Sequence, residues 1–297
     1  MNVAAEIDWG KLAPLRLRAR AIAEGVWAGA HRSARKGAGI EFGGHREYTP
    51  GDDLRWLDRR SLLLHDRLVT RQFETETDRA LWLVVDATRS MSYRGTRARG
   101  AKYAWCSVVA AALARVAVAS GDPVGLELLG AGARARRVPA SGGREVFDRI
   151  VMALESSSVD GDAIADAGVV QRSLAPIVRM ARRGSIVVVL SDLIDLPQGA
   201  AREIAALGHA GRVVVVVQAL DPDEIDFPFD GTFRLRSLEG EITVETDGNA
   251  KERYLARLAQ LTTAWEEELS GRGARFLRAS TADDPGDVVR AIVEAAR

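Results

Sequence analysis

Leu81, Trp82, Leu83, Val84 and Val85 form an unbroken apolar run that stops at Asp86, and two hydroxyl residues, Thr88 and Ser90, follow at alternate positions. A run this short, closed by a polar turn and followed by a long Ala-rich stretch, predicts a strand buried on both faces that feeds a helix. The runs 186–190 and 213–217 share this Val- and Ile-rich composition, and 124–129 and 274–277 are weaker versions of it. Between and after them, helical patterns cover 100–120, 143–154, 163–183, 198–208, 251–270 and 285–297. In 251–270, Tyr254, Leu255, Leu258, Leu261, Trp265 and Leu269 share one face; in 285–297, Val288, Val289, Ile292 and Val293 point inward. Strands alternating with helices of this length predict right-handed βαβ units. The fold class is α/β, with a mainly parallel sheet flanked by helices.

Two stretches break the alternation. Residues 233–238 and 241–246 alternate in polarity around Glu239 and Gly240, which predicts an inserted β-hairpin within 221–248. Residues 1–78 form a separate N-terminal segment ahead of a sheet domain at 79–297. That segment reads as a helix at about 12–30, a Gly-rich loop at 37–44, a turn at Pro50-Gly51-Asp52-Asp53 and a strand at 67–74.

Composition excludes several functions. Lysine plus arginine and aspartate plus glutamate each number 41, so the chain lacks the basic excess of a general nucleic-acid binder. The single cysteine, Cys106, leaves neither an intrachain disulfide nor a cysteine metal cluster, and its apolar neighbours predict a buried, inert thiol. His31, His45, His65 and His209 show no metal-ligand spacing. No Walker A or Gly-x-Ser-x-Gly motif occurs. The N-terminus carries no signal-peptide pattern, and 104–119 is an Ala-rich segment too short and too weakly apolar to span a bilayer. The expectation is a cytoplasmic protein that is not membrane-embedded.

The chemistry concentrates at strand ends. Open α/β sheets place ligands beyond the carboxyl ends of their strands, where Asp86 falls. A second carboxylate, Asp192, follows the run 186–190 in the same way. Carboxylates with hydroxyls are hard oxygen donors, suited to Mg²⁺ or Mn²⁺. The alternative for Thr88 or Ser90 is a helix cap, with Asp86 merely ending a strand. The segment Gly95-Thr-Arg-Ala-Arg-Gly100 could cup an anion at a helix N-terminus, or simply solvate the top of the sheet.

The string Asp86-x-Thr88-x-Ser90 resembles the metal-ion-dependent adhesion site of von Willebrand factor A domains, Asp-x-Ser-x-Ser, with Thr in the middle. The resemblance implies that Asp192 serves the same ion from a neighbouring strand. It also calls for a loop Thr, yet no Thr occurs between Thr96 and Thr232. Asp162 is the candidate for that place, with Asp160 second; a carboxylate there strengthens cation binding but leaves less positive charge to attract an acidic partner group.

Upstream, Gly37-x-Gly39-x-Glu41-Phe42-x-x-x-Arg46-x-Tyr48-x-Pro50-Gly51-Asp52-Asp53-x-Arg55-x-x-Asp58 reads on its own as a flexible loop, a turn and an Asp–Arg network. It resembles the signature of the bacterial DUF58 family, von Willebrand A-like proteins encoded beside MoxR-type AAA+ ATPases. Phe73-Glu74-x-Glu76 and Ser90-Met91 fit the same pattern, whereas Arg59 stands where the family has Trp after Asp58. The resemblance runs over about residues 12–195. It implies a von Willebrand A-like (Rossmann-like) domain acting as a non-enzymatic adaptor in chaperone-like protein maturation. A MoxR-type ATPase, a client protein or both would dock on the metal face. Thr88 and Ser90 would ligate Mg²⁺ (or Mn²⁺) directly, and Asp86 and Asp192 directly or through water. A Mg²⁺-dependent phosphohydrolase of the haloacid dehalogenase type is the rival, but it needs a second carboxylate where Thr88 stands. A scaffold with a decayed metal site is the third reading.

Overall fold

A computed structural model describes residues 7–12, 14–30, 41–47, 69–74, 79–131, 137–163, 166, 168–197, 199–229, 234–236, 243–245 and 249–297. They fall into two compact units, one comprising Met1–His31 with Arg79–Arg297 and the other Arg32–Asp78. The first helix thus belongs to the unit that holds the sheet, so the compact division differs from a cut at residue 78.

In the larger unit, β3 (Leu81–Asp86), β4 (Val124–Leu129), β5 (Val138–Ser141), β6 (Ile186–Ser191), β7 (Val213–Leu220) and β10 (Arg275–Ser280) form one six-stranded sheet in the order β10-β7-β6-β3-β4-β5. All neighbours pair in parallel except β4 with β5. Counted along the chain, this is the doubly wound order 3-2-1-4-5-6, whose reversal lies beside β3. The mainly parallel α/β sheet is what the strand composition predicts, and the von Willebrand A-like form is what the resemblance implies. β5 was not foreseen: it is four residues long, includes Pro139 and occupies an edge, where a strand tolerates proline.

Each face of the sheet is covered. α2 (Lys102–Ala119) lies in the core of one face with α3 (Arg144–Ser156) and α8 (Pro285–Ala295) beside it. Every α2 residue from Lys102 to Ala114 is buried, which is why the segment is apolar all round. At 18 residues and a mean hydropathy of 1.4, this helix is long and apolar enough to cross a membrane, beyond what 104–119 suggested; 78% of it is buried inside the molecule, which accounts for the composition. Cys106 is fully buried here, and burial drives its thiol well above the ordinary range.

α1 (Leu15–Ala30) packs on α2 and α8, burying Leu15, Ala19, Ala23 and Val26 at helical spacing. The opposite face of the sheet carries α4 (Val169–Met180), α5 (Ala200–Ala206) and α7 (Ala250–Ser270). α7 buries only Thr262, Trp265 and Leu269 of its length; Tyr254, Leu255 and Leu258 of the anticipated apolar stripe are half-buried. A short α6 (Pro222–Asp226), absent from the sequence expectation, follows β7 under a capping box formed by Asp221 and Glu224. The inserted hairpin exists as β8 (Arg234–Arg236) and β9 (Thr243–Glu245), paired antiparallel; its turn lies outside the described residues.

The smaller unit contains β1 (Glu41–Glu47) paired antiparallel with β2 (Val69–Glu74), with an irregularity between Phe42 and Gly44. The end of the anticipated Gly-rich loop is therefore strand rather than loop. Of the signature residues, Glu41, Phe42 and Arg46 lie on β1, opposite Glu74, Phe73 and Thr70. Tyr48, Gly51, Asp52, Asp53, Arg55 and Asp58 lie outside the described residues.

Candidate functional site

β3 and β6 are neighbours, so the register that pairs Val85 with Leu190 brings their carboxyl ends together. Asp86 ends β3; Ser191 and Asp192 close β6. All three side chains are buried, as are Thr88 and Ser90. The Thr88 amide donates to Asp86 Oδ1 at 2.8 Å, and the Ser191 hydroxyl donates to Asp86 Oδ2. Thr88 Oγ1 and Ser90 Oγ converge to 3.2 Å as a short 3₁₀ turn (Arg89–Ser92) carries Ser90 back over Thr88. Burial pushes the Asp86 carboxyl up from 3.8 to about 7, aided by the neighbouring Asp192 charge and opposed by the Ser191 and Thr88 hydrogen bonds. Two carboxylates and three hydroxyls, those of Thr88, Ser90 and Ser191, thus meet at the topological reversal of the sheet.

The β6 turn is held in a demanding conformation. Leu193 has φ 64°, unusual for a residue with a branched apolar side chain, and it is fully buried. The Leu193 amide donates to Ser191 Oγ at 2.9 Å and the Ile194 amide to Asp192 Oδ1 at 3.0 Å. Gln218 on β7 donates to the Asp192 carbonyl and accepts from Thr262 on α7. The main chain at Asp192 is therefore held by Gln218, which Thr262 in turn positions.

A third loop reaches the site through its main chain. Gly161 bridges to Thr88 in parallel fashion: its carbonyl accepts from Arg89 at 2.9 Å, and its amide donates to the Ala87 carbonyl at 3.3 Å. A Cβ on Gly161 would stand 1.9 Å from the Gly130 carbonyl oxygen, so only glycine permits this approach. Asp160 and Asp162, the two candidates for the missing Thr, flank that contact. Asp160 is exposed and accepts from Ser158 Oγ at 2.9 Å, while Asp162 is half-buried.

The residue that sequence reasoning missed is Lys102. It opens α2, is fully buried, and places Nζ 2.7 Å from Asp192 Oδ2 and 2.5 Å from Glu224 Oε1. Burial works against its charge, but the Asp192 and Glu224 carboxylates prevail and hold the ammonium above its ordinary range. For Glu224, burial raises the carboxyl against the pull of Lys102. A lone lysine heading an otherwise apolar helix, just after the metal-like motif, was the available signal.

The loop 95–100 does cradle an anion, but the anion belongs to this chain. Gly95 N–H donates to Asp221 Oδ2 at 2.8 Å, and Thr96 N–H to Asp223 Oδ2 at 2.7 Å. Arg97 pairs with Asp223 at 2.7 Å and with Asp226 at 2.7 Å. Burial alone would raise the Asp223 carboxyl; the Arg97 and Thr96 hydrogen bonds reverse this and hold it low. From the other side, the N-terminal residues clamp the loop: Lys11 N–H donates to the Arg99 carbonyl, Ala101 N–H to the Asp8 carbonyl, and Arg94 pairs with Asp8.

Among the described residues no group of three or more His, Cys, Asp or Glu side chains is arranged to hold a metal. A hard cation here would rely on the Thr88 and Ser90 hydroxyls beside Asp86. The donor chemistry fits Mg²⁺ or Mn²⁺ on that count, with Asp192 already engaged on one oxygen by Lys102.

The "Uncharacterized protein Rv1480" of Mycobacterium tuberculosis is 28% identical over 308 aligned residues, covering 98% of this chain and 92% of its own. BatB of Bacteroides thetaiotaomicron, a solved structure, is 17% identical and covers 73% of this chain and 98% of its own, with a TM-score of 0.48. The SpRpn10 VWA domain is 9% identical over 71% of this chain and 93% of its own, with a TM-score of 0.39. Residues 44–264 match the family described as "Protein of unknown function DUF58", and with most of its length inside that match the chain belongs to the DUF58 family.

Proposed function

We propose that this protein is a non-enzymatic, cytoplasmic docking module whose strand-end face binds Mg²⁺ or Mn²⁺ and, through it, an oxygen of a partner. The observation that carries this reading is the convergence of the Thr88 and Ser90 hydroxyls to 3.2 Å beside the buried Asp86 carboxyl. Thr88, Ser90 and Asp86 would hold the ion, with Asp192 assisting. The bound ion would supply a Lewis-acid position for a partner carboxylate or carbonyl. The partner we assign is a MoxR-type AAA+ ATPase, a client protein or both, in a chaperone-like maturation role. Thr88 occupies the place where the phosphohydrolase reading needs its second carboxylate, which favours binding over catalysis.

Lys102 supports a second reading, a scaffold that carries its own cation. Its ammonium already neutralises Asp192, so the face could persist with no divalent ion. Titration calorimetry of Mg²⁺ and Mn²⁺ against wild type and Asp86→Ala separates the two. Binding by wild type that is lost in the variant supports the metal-dependent module; no binding by wild type, alone or with a MoxR-type ATPase present, overturns it in favour of the scaffold.

A further inference from the structure

Each carboxylate oxygen of Asp86 and Asp192 already accepts a bond. Asp86 takes the Thr88 amide and the Ser191 hydroxyl; Asp192 takes the Ile194 amide on Oδ1 and the Lys102 ammonium on Oδ2. A cation that draws on these groups must compete with their donors, and the four donors differ in how readily they move. Two are main-chain amides, and the Ser191 hydroxyl is itself held by the Leu193 amide at 2.9 Å. Lys102 is different. Its ammonium rides on a flexible four-carbon stem and already has a second carboxylate in hand, Glu224 Oε1 at 2.5 Å. The Tyr93 ring lies on a third side, with its centroid 5.7 Å from Nζ. One ammonium thus touches the turn after β6, the short helix α6 and the loop after β3.

The charges favour an exchange. The Lys102, Asp192 and Glu224 side chains are 0%, 1% and 14% exposed, so solvent ions screen them little. A second cation entering beside Asp86 repels the ammonium and attracts Asp192, and both forces push Lys102 the same way, toward Glu224. Glu224 is placed to receive it. Its other oxygen accepts from the Asp221 amide at 2.9 Å, one half of the capping box that opens α6. Asp221 in turn holds the Gly95 amide, and a Cβ on Gly95 would lie 2.2 Å from Asp221 Oδ1, so the loop sits hard against the cap. An ammonium concentrated on Glu224 therefore bears on α6 and on the loop beside it.

We propose that Lys102 is an exchangeable internal cation: divalent-ion binding beside Asp86 moves it from Asp192 to Glu224 and so signals the ion's presence to α6 and residues 95–97. This regulation rests on reading the Asp86 face as a Mg²⁺ or Mn²⁺ site. The test follows the Lys102 ammonium of the full-length wild type by NMR, through the scalar couplings that cross its hydrogen bonds to the carboxyl carbons. Without divalent ions, Nζ couples to both Asp192 and Glu224. At saturating Mg²⁺ the Asp192 coupling disappears, the Glu224 coupling persists, and the Gly95 and Thr96 amides exchange more slowly. Asp86→Ala keeps both couplings at the same Mg²⁺ concentration. Glu224→Gln removes the acceptor to which Lys102 moves and weakens Mg²⁺ binding by at least about tenfold. Asp226→Asn removes a charge from the same helix at an exposed position and changes it by less than about threefold. An Asp192 coupling retained in wild type saturated with Mg²⁺, or equal losses of affinity in the two α6 variants, overturns the exchange and leaves the metal site standing. Thr88 and Ser90 amide signals that Mg²⁺ does not move, with or without a MoxR-type ATPase, overturn the metal site and the exchange with it.

Discussion

Lys102 Nζ donates to Asp192 Oδ2 at 2.7 Å, joining the head of the core helix to the turn after β6. Both side chains are buried, and Glu224 takes a second bond from the same ammonium. Since the other Glu224 oxygen accepts from the Asp221 amide, and Asp221 holds Gly95, one chain of charge-assisted bonds links the strand-end face to the loop 95–100.

Removing one member of such a group strands the rest. Lys102→Met should destabilise the protein by about 3–5 kcal/mol, measured by urea unfolding at neutral pH. Adding Asp192→Asn to that variant should recover part of the loss, because one uncompensated carboxylate is gone. A Lys102→Met protein as stable as wild type would show that the pair is a surface-like contact of little weight.

Asp86 sets a pH dependence whose sign is fixed by its raised carboxyl. In the unfolded chain it ionises near 3.8, and in the folded protein near 7. The folded state holds the proton more tightly, so its contribution is complete below about 3.8 and is lost as pH rises through about 7. Asp86→Asn cannot ionise. Without divalent ions it should therefore be more stable than wild type at pH 8, by on the order of a few kcal/mol in urea unfolding, with the gap closing toward pH 4. A gap that is the same at both pH values would contradict this. If the metal-dependent reading holds, Mg²⁺ raises the melting temperature of wild type alone at pH 8.

Gly161→Ala tests the main-chain contact that carries the 160–162 loop to Thr88. The added Cβ meets the Gly130 carbonyl at 1.9 Å, so the loop must shift, at about 1–3 kcal/mol. Hydrogen exchange should show faster exchange of the Arg89 amide, which donates to Gly161. Unchanged exchange there would mean that the strand-end face does not need the bridge.

Asp223→Ala removes the acceptor for Thr96 and Arg97 at once. Limited trypsin digestion should then cut after Arg97 or Arg99 faster than in wild type, while the far-ultraviolet circular dichroism stays the same. Equal cleavage rates would show that the N-terminal clamp at Asp8 and Lys11 suffices on its own.

Much of the architecture is written plainly in the chain, for a physical reason. A parallel strand covered on both faces needs apolar side chains in both directions, so β3, β6 and β7 appear as continuous Val, Leu and Ile runs. The carboxylates at the ends of β3 and β6 stand out because nothing apolar continues past them. β5 is hidden because an edge strand of four residues with Pro139 carries no such run. α4 starts at Val169, later than the helical pattern beginning at 163, because Ala163 lies in a turn after the Gly161 bridge. Lys102 was illegible for a different reason. A single charge in an apolar stretch reads as a surface position, and only partners distant in sequence give it meaning. For Lys102 those partners lie 90 and 122 residues away.

The two rims of the large sheet carry a further consequence. An open sheet exposes main-chain groups at its outermost strands, and a second copy can pair there unless something discourages it. At one rim, Pro139 within β5 offers no N–H at its position; at the other, exposed Arg275 on β10 would set like charges against each other in an antiparallel encounter. The fold is thereby guarded against runaway polymerisation through its strands, which leaves its helical surfaces and loops free to specialise for recognition without inviting fibre growth.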